Sequence, residues 1–276
     1  VYIREHLTPK EKERHKYGEV FTPLELVDEM LSKLPKEVWS NPELKWLDPA
    51  NGIGNFPIKA MIGQEEGPFK YPGLLKGLEA SFPKENERCK HIIEKMLYMV
   101  DINGKNNRIA RTLFGKICPS ATPNIEQIDK KEGFLTTKPL VFNGKTIDKF
   151  DVIMGNPPFN RGAVRVAKVT TQTRKAKQEL GLEGETGESG FWIRFVEKAL
   201  NGLLKEDGYL LFVHPITWFK PDRAGAHDMI LAKQLTVLKI YKNDGSAQQL
   251  FGGKGKISLA YYLLVNKPAT QKTKIL

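Results

Sequence analysis

Seven short apolar runs, spaced along the chain with amphipathic segments between most of them, constrain its fold more than any other feature. The runs cover 45–49, 98–102, 124–129, 150–156, 208–215, 235–241 and 259–265. Between them, 24–34, 85–97, 105–114, 191–204 and 222–231 carry apolar residues at three- and four-residue spacing. The first pattern suits strands and the second suits helices. Strands alternating with helices predict an α/β fold whose mainly parallel sheet is covered on both faces. Only 242–257 separates the last two runs, with no clear helix, so those strands are expected to be antiparallel neighbours.

A chain of 276 residues can form one large α/β domain or two small ones. It stops soon after the seventh run, so a single domain over 1–276 is expected. No apolar run approaches the length of a membrane helix. The stretch from Val1 to His6 lacks the character of a signal peptide. Cys89 and Cys118 lie far apart in sequence, without metal-ligand spacing. They read as buried thiols of a reducing compartment, which predicts a cytoplasmic or nucleoid-associated protein without a metal.

The formal net charge of +11 points to a polyanionic partner, nucleic acid first and a membrane surface second. Its distribution is more telling. Arg161, Arg165, Lys168, Arg174, Lys175 and Lys177 fall in a stretch without a single acid. This basic run opens a segment, 161–190, that ends in Gly and Glu and is expected to be a mobile loop. A second interruption, 63–83, is rich in Gly, Pro and Lys and reads as a surface excursion.

The fourth run ends in Asn156-Pro157-Pro158-Phe159. At average composition, this tetrapeptide arises by chance in about one in a thousand chains of this length. An ordinary turn would also use Asn and Pro. A rigid turn of this kind can do something less common, which is to grip a flat conjugated NH2 group. The Asn156 side-chain oxygen and the Pro157 carbonyl can each accept one N–H. The prolines fix φ and remove competing donors. Phe159 offers a face on which a planar base or amide can stack.

The first run ends in Asp48-Pro49-Ala50-Asn51-Gly52-Ile53-Gly54. An acid followed by a Gly-x-Gly turn into a helix suits a nucleotide-type cofactor. A dinucleotide fingerprint would need a third Gly where Pro57 stands, so no pyrophosphate cradle is expected. The acid instead suits a cationic, phosphate-free cofactor such as S-adenosylmethionine, or it simply caps the helix. The second run carries Asp101, which can receive a ribose diol or cap the helix starting near Gly104. Asp129 or Phe134, after the third run, can flank an adenine ring. Upstream, Tyr17 and Phe21 precede Thr22-Pro23, which reads as an N-cap followed by a first helical residue.

Gly-x-x-x-Thr-Pro, Asp-Pro-x-x-Gly-x-Gly-x-Phe, a strand-two Asp-Ile and then Asn-Pro-Pro-Phe resemble, in that order, the gamma-class DNA adenine-N6 methyltransferases. The likeness runs from Tyr17 to about Lys267. It implies a Rossmann-like class I methyltransferase fold using S-adenosylmethionine. It further implies that Phe21, Thr22, Asp48, Ala50 and Gly52 enclose the methionine part of the cofactor, with Tyr17 also in the cofactor site. Asp101 would hold the ribose, Ile102 and Pro158 would lie near the adenine, and Asp129 would stand at the third-strand position. Asn156, Pro157 and Phe159 would hold the target amine. Phe251, in a glycine-rich stretch with Lys254, would stack on the flipped base. Arg161, Arg165, Lys168, Arg174 and Lys175 would hold the DNA backbone. Two departures stand out, the long basic segment after Phe159 and the lack of a visible target-recognition domain. A specificity subunit or a missing recognition domain is therefore expected as a partner beside DNA.

The implied reaction is direct in-line methyl transfer to the N6 amine of a flipped adenine, with no strong base and no catalytic role for His214. Alternatives are methylation of RNA adenine, of a protein glutamine amide, or a methyltransferase-like DNA-binding subunit that serves a partner.

Overall fold

The structure is a computed structural model that describes residues 22–128, 133–136, 139–159, 191–221, 225–242 and 258–276. Its central sheet contains the seven expected strands. These are β1 (Trp46–Asp48), β2 (Leu97–Asp101), β3 (Asn124–Gln127), β6 (Phe150–Gly155), β7 (Leu204–Pro215), β8 (Lys233–Tyr241) and β9 (Leu259–Pro268). A short β10 (Lys274–Ile275) adds an eighth strand beside β8, which the sequence reading missed. A small separate hairpin, β4 (Leu140–Phe142) and β5 (Lys145–Ile147), was missed as well. Its two-residue turn is Asn143-Gly144, with φ of 47° and 77°. Positive φ at both central residues is what a tight hairpin turn demands.

The strand order is β10-β8-β9-β7-β6-β1-β2-β3. Strands β7, β6, β1, β2 and β3 run parallel to one another. β9 is antiparallel to both β7 and β8, so the expectation for the last two long strands holds. Side chains alternate across the sheet as the two-residue period requires. Met99, Val152, Met154, Leu211 and Val213 enter one core. Tyr98, Val100, Ile153, Leu210 and Phe212 enter the other. The near-continuous apolar runs of the parallel strands follow from burial on both faces.

On the first face lie α1 (Leu24–Leu31), α2 (Asn55–Ile62), α3 (Gly73–Gly77), α4 (Glu85–His91) and α5 (Gly104–Ile117). After a short α6 (Gly133–Thr136), α7 (Phe191–Lys198) and α8 (Ala226–Leu231) cover the second face. Two features depart from expectation. Thr22 does not cap α1; Pro23 occupies the cap position and no side-chain cap bond forms. The segment 63–83 is not a surface excursion. Tyr71, Leu74 and Leu78 are buried in the first core, and Trp39 packs on Tyr71 with ring centroids 5.1 Å apart. A Cβ at Gly77 would lie 2.1 Å from the Trp39 carbonyl oxygen, so a side chain there would separate the two backbones. The apolar residues were present in the sequence, but the surrounding Gly, Pro and Lys masked them.

Leu74→Ala tests this correction. A fully buried leucine is expected to cost about 2–5 kcal/mol on truncation, read by urea or guanidinium unfolding. A loss below about 0.5 kcal/mol would restore the picture of a solvated loop.

Candidate active site

In an open α/β sheet, ligands bind beyond the C-terminal strand ends where the strand order reverses. Here that point lies between β1 and β6, because the chain runs outward from β1 to β2 and β3 on one side and from β6 to β7 on the other. The two strand ends deliver Asp48 and Asn156. A small recess opens at this point. It is lined by Thr22, Asp48, Ala50, Asn51, Gly52, Ile53, Asn55, Phe56 and Asn156. Segments far apart in sequence, 22, 48–56 and 156, therefore meet around one space.

The loop after β1 is held by polar contacts. Gly52 and Gly54 adopt φ of 53° and 95°. The Gly54 N–H donates to the Asn51 carbonyl at 2.8 Å, and the Asn51 N–H donates to the Val100 carbonyl at 3.0 Å. Asn55 Nδ2 donates to the Thr22 carbonyl at 2.9 Å, which ties the segment before α1 to the start of α2. Asn51 Oδ1 is buried and has no hydrogen-bond partner among the described residues. A buried acceptor left in this condition is uncommon and suits a site that receives a donor from a ligand.

Asp48 is only 1% exposed. Its Oδ1 accepts from the Ala50 N–H at 3.1 Å, so it does not cap the following helix. Burial pushes its carboxyl well above the usual range; the Ala50 bond opposes this and the Asp101 charge adds to it. Gly155, the last residue of β6, makes the arrangement possible. At its φ of 150°, a Cβ would lie 2.8 Å from Asp48 Oδ1.

Asp101 does not cap α5. That role falls to Asn103, whose side chain accepts from the Lys105 N–H. Asp101 Oδ2 instead accepts from the Gly52 N–H at 2.9 Å, and its Oδ1 accepts from the Asn103 N–H at 2.6 Å. It stands directly behind the glycine turn. Ile102 follows it and is partly exposed.

Pro157 is buried, while Pro158 and Phe159 are partly buried. Phe159 packs against the second core, and its carbonyl accepts from the Phe191 N–H at 3.2 Å. Phe134 is buried and stacks on Phe195 with centroids 5.4 Å apart, so it is core rather than a wall of an adenine pocket. His214 is also core. It stacks on Trp192 at 3.7 Å, and burial pushes its pKa down to about 3. Its ring nitrogens meet the Pro215 carbonyl and the Tyr262 hydroxyl. Tyr17, Phe21, Asp129, Arg161, Arg165, Lys168, Arg174, Lys175, Lys177, Phe251 and Lys254 lie outside the described residues.

Sequence reasoning missed Asn51, Ile53, Asn55, Phe56 and Gly155. The first four sit inside or just after the glycine motif, where position alone was a signal. Gly155 ended an apolar run without explanation, and a glycine in a buried strand marks a close approach.

Strand order, reversal point and strand-end acid together define a class I methyltransferase fold. The type I restriction enzyme EcoKI M protein has the same fold, with a TM-score of 0.55, 14% identity, and coverage of 92% of this chain and 46% of that one. DrdV, solved in a complex with DNA, gives a TM-score of 0.57 and 16% identity over 100% of this chain and 29% of its own. Residues 83–251, well over half of the chain, match the family described as Eco57I restriction-modification methylase, and the chain belongs to that family. An uncharacterized adenine-specific methylase of Mycoplasma pneumoniae is 38% identical over 100 residues, 35% of this chain and 21% of that protein. The chain thus spans about a fifth of this curated relative and under half of the EcoKI protein.

The buried carboxyl makes a pH prediction. Because the folded state holds the Asp48 proton more tightly than the unfolded chain, stability falls as pH rises from the ordinary Asp value near 4 through the raised folded value. Asp48→Asn is expected to flatten this decline and raise the thermal midpoint at pH 7. An unchanged pH profile of stability would mean that Asp48 is ionised without penalty.

Proposed function

We propose that the protein transfers a methyl group from S-adenosylmethionine to the exocyclic N6 amine of adenine in DNA, with the motif order of the gamma class. The observation that carries this reading is the meeting of Asn156 with Thr22, Asp48 and the Gly52 turn around one recess. Family membership and the printed description of the Mycoplasma relative support it.

The chemistry of the residues fits the cofactor. The recess offers acceptors, namely the Asp48 carboxylate and the unsatisfied Asn51 Oδ1, toward a ligand that carries a sulfonium and an ammonium. Positive φ at Gly52 allows close backbone approach. Asp101, already fixed by the Gly52 and Asn103 N–H groups, is oriented to receive a ribose hydroxyl, with Ile102 and Pro158 toward the adenine. Phe21, Tyr17 and Asp129 complete the enclosure in this reading. When bound, S-adenosylmethionine supplies an electrophilic methyl on a good leaving group.

The target amine is a poor nucleophile because its lone pair is delocalised into the ring. Asn156 Oδ1 and the Pro157 carbonyl accept its two hydrogens and turn the nitrogen toward a tetrahedral shape. Phe159 and Phe251 stack on the flipped base. With S-adenosylmethionine held by Thr22, Asp48, Asn51 and Asp101, its sulfonium methyl would be the electrophile presented in line to the amine held at Asn156 and Pro157, with the thioether as the leaving group. The surplus proton leaves the amine to solvent afterward. Positioning and fixed dipoles supply the catalysis.

Arg161, Arg165, Lys168, Arg174, Lys175 and Lys254 hold phosphates in this reading, with salt-sensitive affinity. Target choice rests with a recognition domain or a specificity subunit, and the protein works in the cytoplasm.

Mass spectrometry of nucleosides from treated DNA and RNA tests the reaction. N6-methyladenine in DNA is expected; its absence while the cofactor binds would sink the proposal, and product only in RNA would redirect it. Asn156→Ala is expected to lower kcat by about 100-fold or more, with cofactor affinity nearly retained. Equal loss of both would remove Asn156 from the role of amine acceptor.

A further inference from the structure

Helix α1 carries two consecutive acids, Asp28 and Glu29, that are both buried. Glu29 faces the sheet. It takes the Lys239 ammonium and the Tyr241 and Tyr261 hydroxyls, the latter two at 2.7 and 3.0 Å. Asp28 faces α2. Its Oδ1 lies 2.9 Å from Lys59 Nζ, and the two side chains are 13% and 10% exposed. The Tyr71 hydroxyl donates to Asp28 at 2.7 Å and also reaches the Lys59 carbonyl at 3.3 Å. Burial, aided by the Asp28 bond, raises the Tyr71 pKa and keeps that hydroxyl a donor.

Lys59 is fully satisfied. An ammonium has three N–H donors, and here each has an acceptor: Asp28 Oδ1, the Gly63 carbonyl at 3.2 Å and Gln64 Oε1 at 2.8 Å. A buried ion pair of this kind adds little net stability over apolar residues of equal size. What it does is fix geometry, because its partners must meet at one distance and angle. The helices it joins are those that build the recess. Thr22 lies six residues before Asp28, just ahead of α1. Asn55 lies one turn before Lys59, at the start of α2. The Asn55–Thr22 bond links the same two segments at the recess itself. α1 and α2 are thus pinned at two levels, one within the site and one behind it.

We infer that Asp28 and Lys59 are positioning residues for the cofactor: their buried pair sets the register of α1 on α2 and so holds Thr22 against the glycine turn. This rests on the reading of the recess as the S-adenosylmethionine site. Neither residue lines the recess, so any effect on binding must travel through the helix register.

The test replaces the pair together, Asp28→Leu with Lys59→Met, so that no buried charge is stranded. The unfolding midpoint is expected to hold or rise. The Kd for S-adenosylmethionine, read by titration calorimetry, is expected to weaken by about 2- to 30-fold. The KM for the cofactor should rise in step while kcat at saturation is nearly unchanged. Should the double variant not fold, Asp28→Asn with Lys59→Met, which strands no charge and keeps an acceptor for Tyr71, carries the same measurement. Unchanged cofactor affinity in a folded variant overturns the inference and leaves the methyltransferase reading standing. Failure of the wild-type protein to bind S-adenosylmethionine overturns both.

Discussion

The site depends on one close approach, the Asp48 carboxylate lying against the Cα of Gly155 where the parallel strands β1 and β6 end side by side. Both positions face the same gap, and only one of them can carry a side chain. Placing the acid on β1 and the hydrogen atom on β6 lets a buried carboxyl occupy the switch point without pushing the strands apart. The residue that follows β6 is Asn156, so the contact also sets how far the amide stands from the acid. A methyl donor and its acceptor, on the proposed reaction, must meet within a bond's reach of each other. The spacing of two paired strands is a rigid means of arranging that.

Burying Asp48 has an energetic consequence that the surrounding loop manages only in part. The Ala50 N–H offsets some of the lost hydration, while the neighbouring Asp101 charge works against ionisation. Asp101 is differently placed, since two backbone N–H groups already point at its oxygens. The two acids therefore divide their work. Asp101 is preorganised and shapes the glycine turn. Asp48 is held in a condition that a cationic ligand would relieve, and perturbed carboxyls of this kind cluster at functional sites.

The strands and most helices were legible because burial on two faces leaves a strong periodic trace, as in Phe150–Gly155 and Leu204–Pro215. The recess was legible in its glycine turn, in Asp48 at the end of β1 and in Asn156 just after β6. What escaped depended on tertiary geometry. Thr22 reads as a cap by its own chemistry and as a cofactor-site residue only through the family resemblance; it lies on the recess, where its carbonyl accepts from Asn55. Asp101 and Asn103 both suit a cap, and only the path of the chain toward Gly52 decides between them. Leu74 and Leu78 were hidden by turn residues whose job is to bring that segment back onto the core. Asp28 and Lys59 read as ordinary charged helix positions, because a buried pair leaves no periodic signature when its partner lies on another helix.

The two prolines after Asn156 complete the physical argument for this turn. Pro157 and Pro158 have no N–H, so neither can hydrogen-bond to the acceptors beside it. Their fixed φ angles also remove torsional freedom that a flexible turn would have to lose on binding its target. On the proposed reaction, the two acceptors meet the amine with little reorganisation, and the same rigidity makes them selective. A planar NH2 presents two hydrogens in a fixed fork, whereas a hydroxyl or a ring N–H presents one and would leave an acceptor unmatched in a buried site. On that proposal the turn specifies the atom to be modified and carries no information about flanking bases, so target choice would come from surfaces other than this recess.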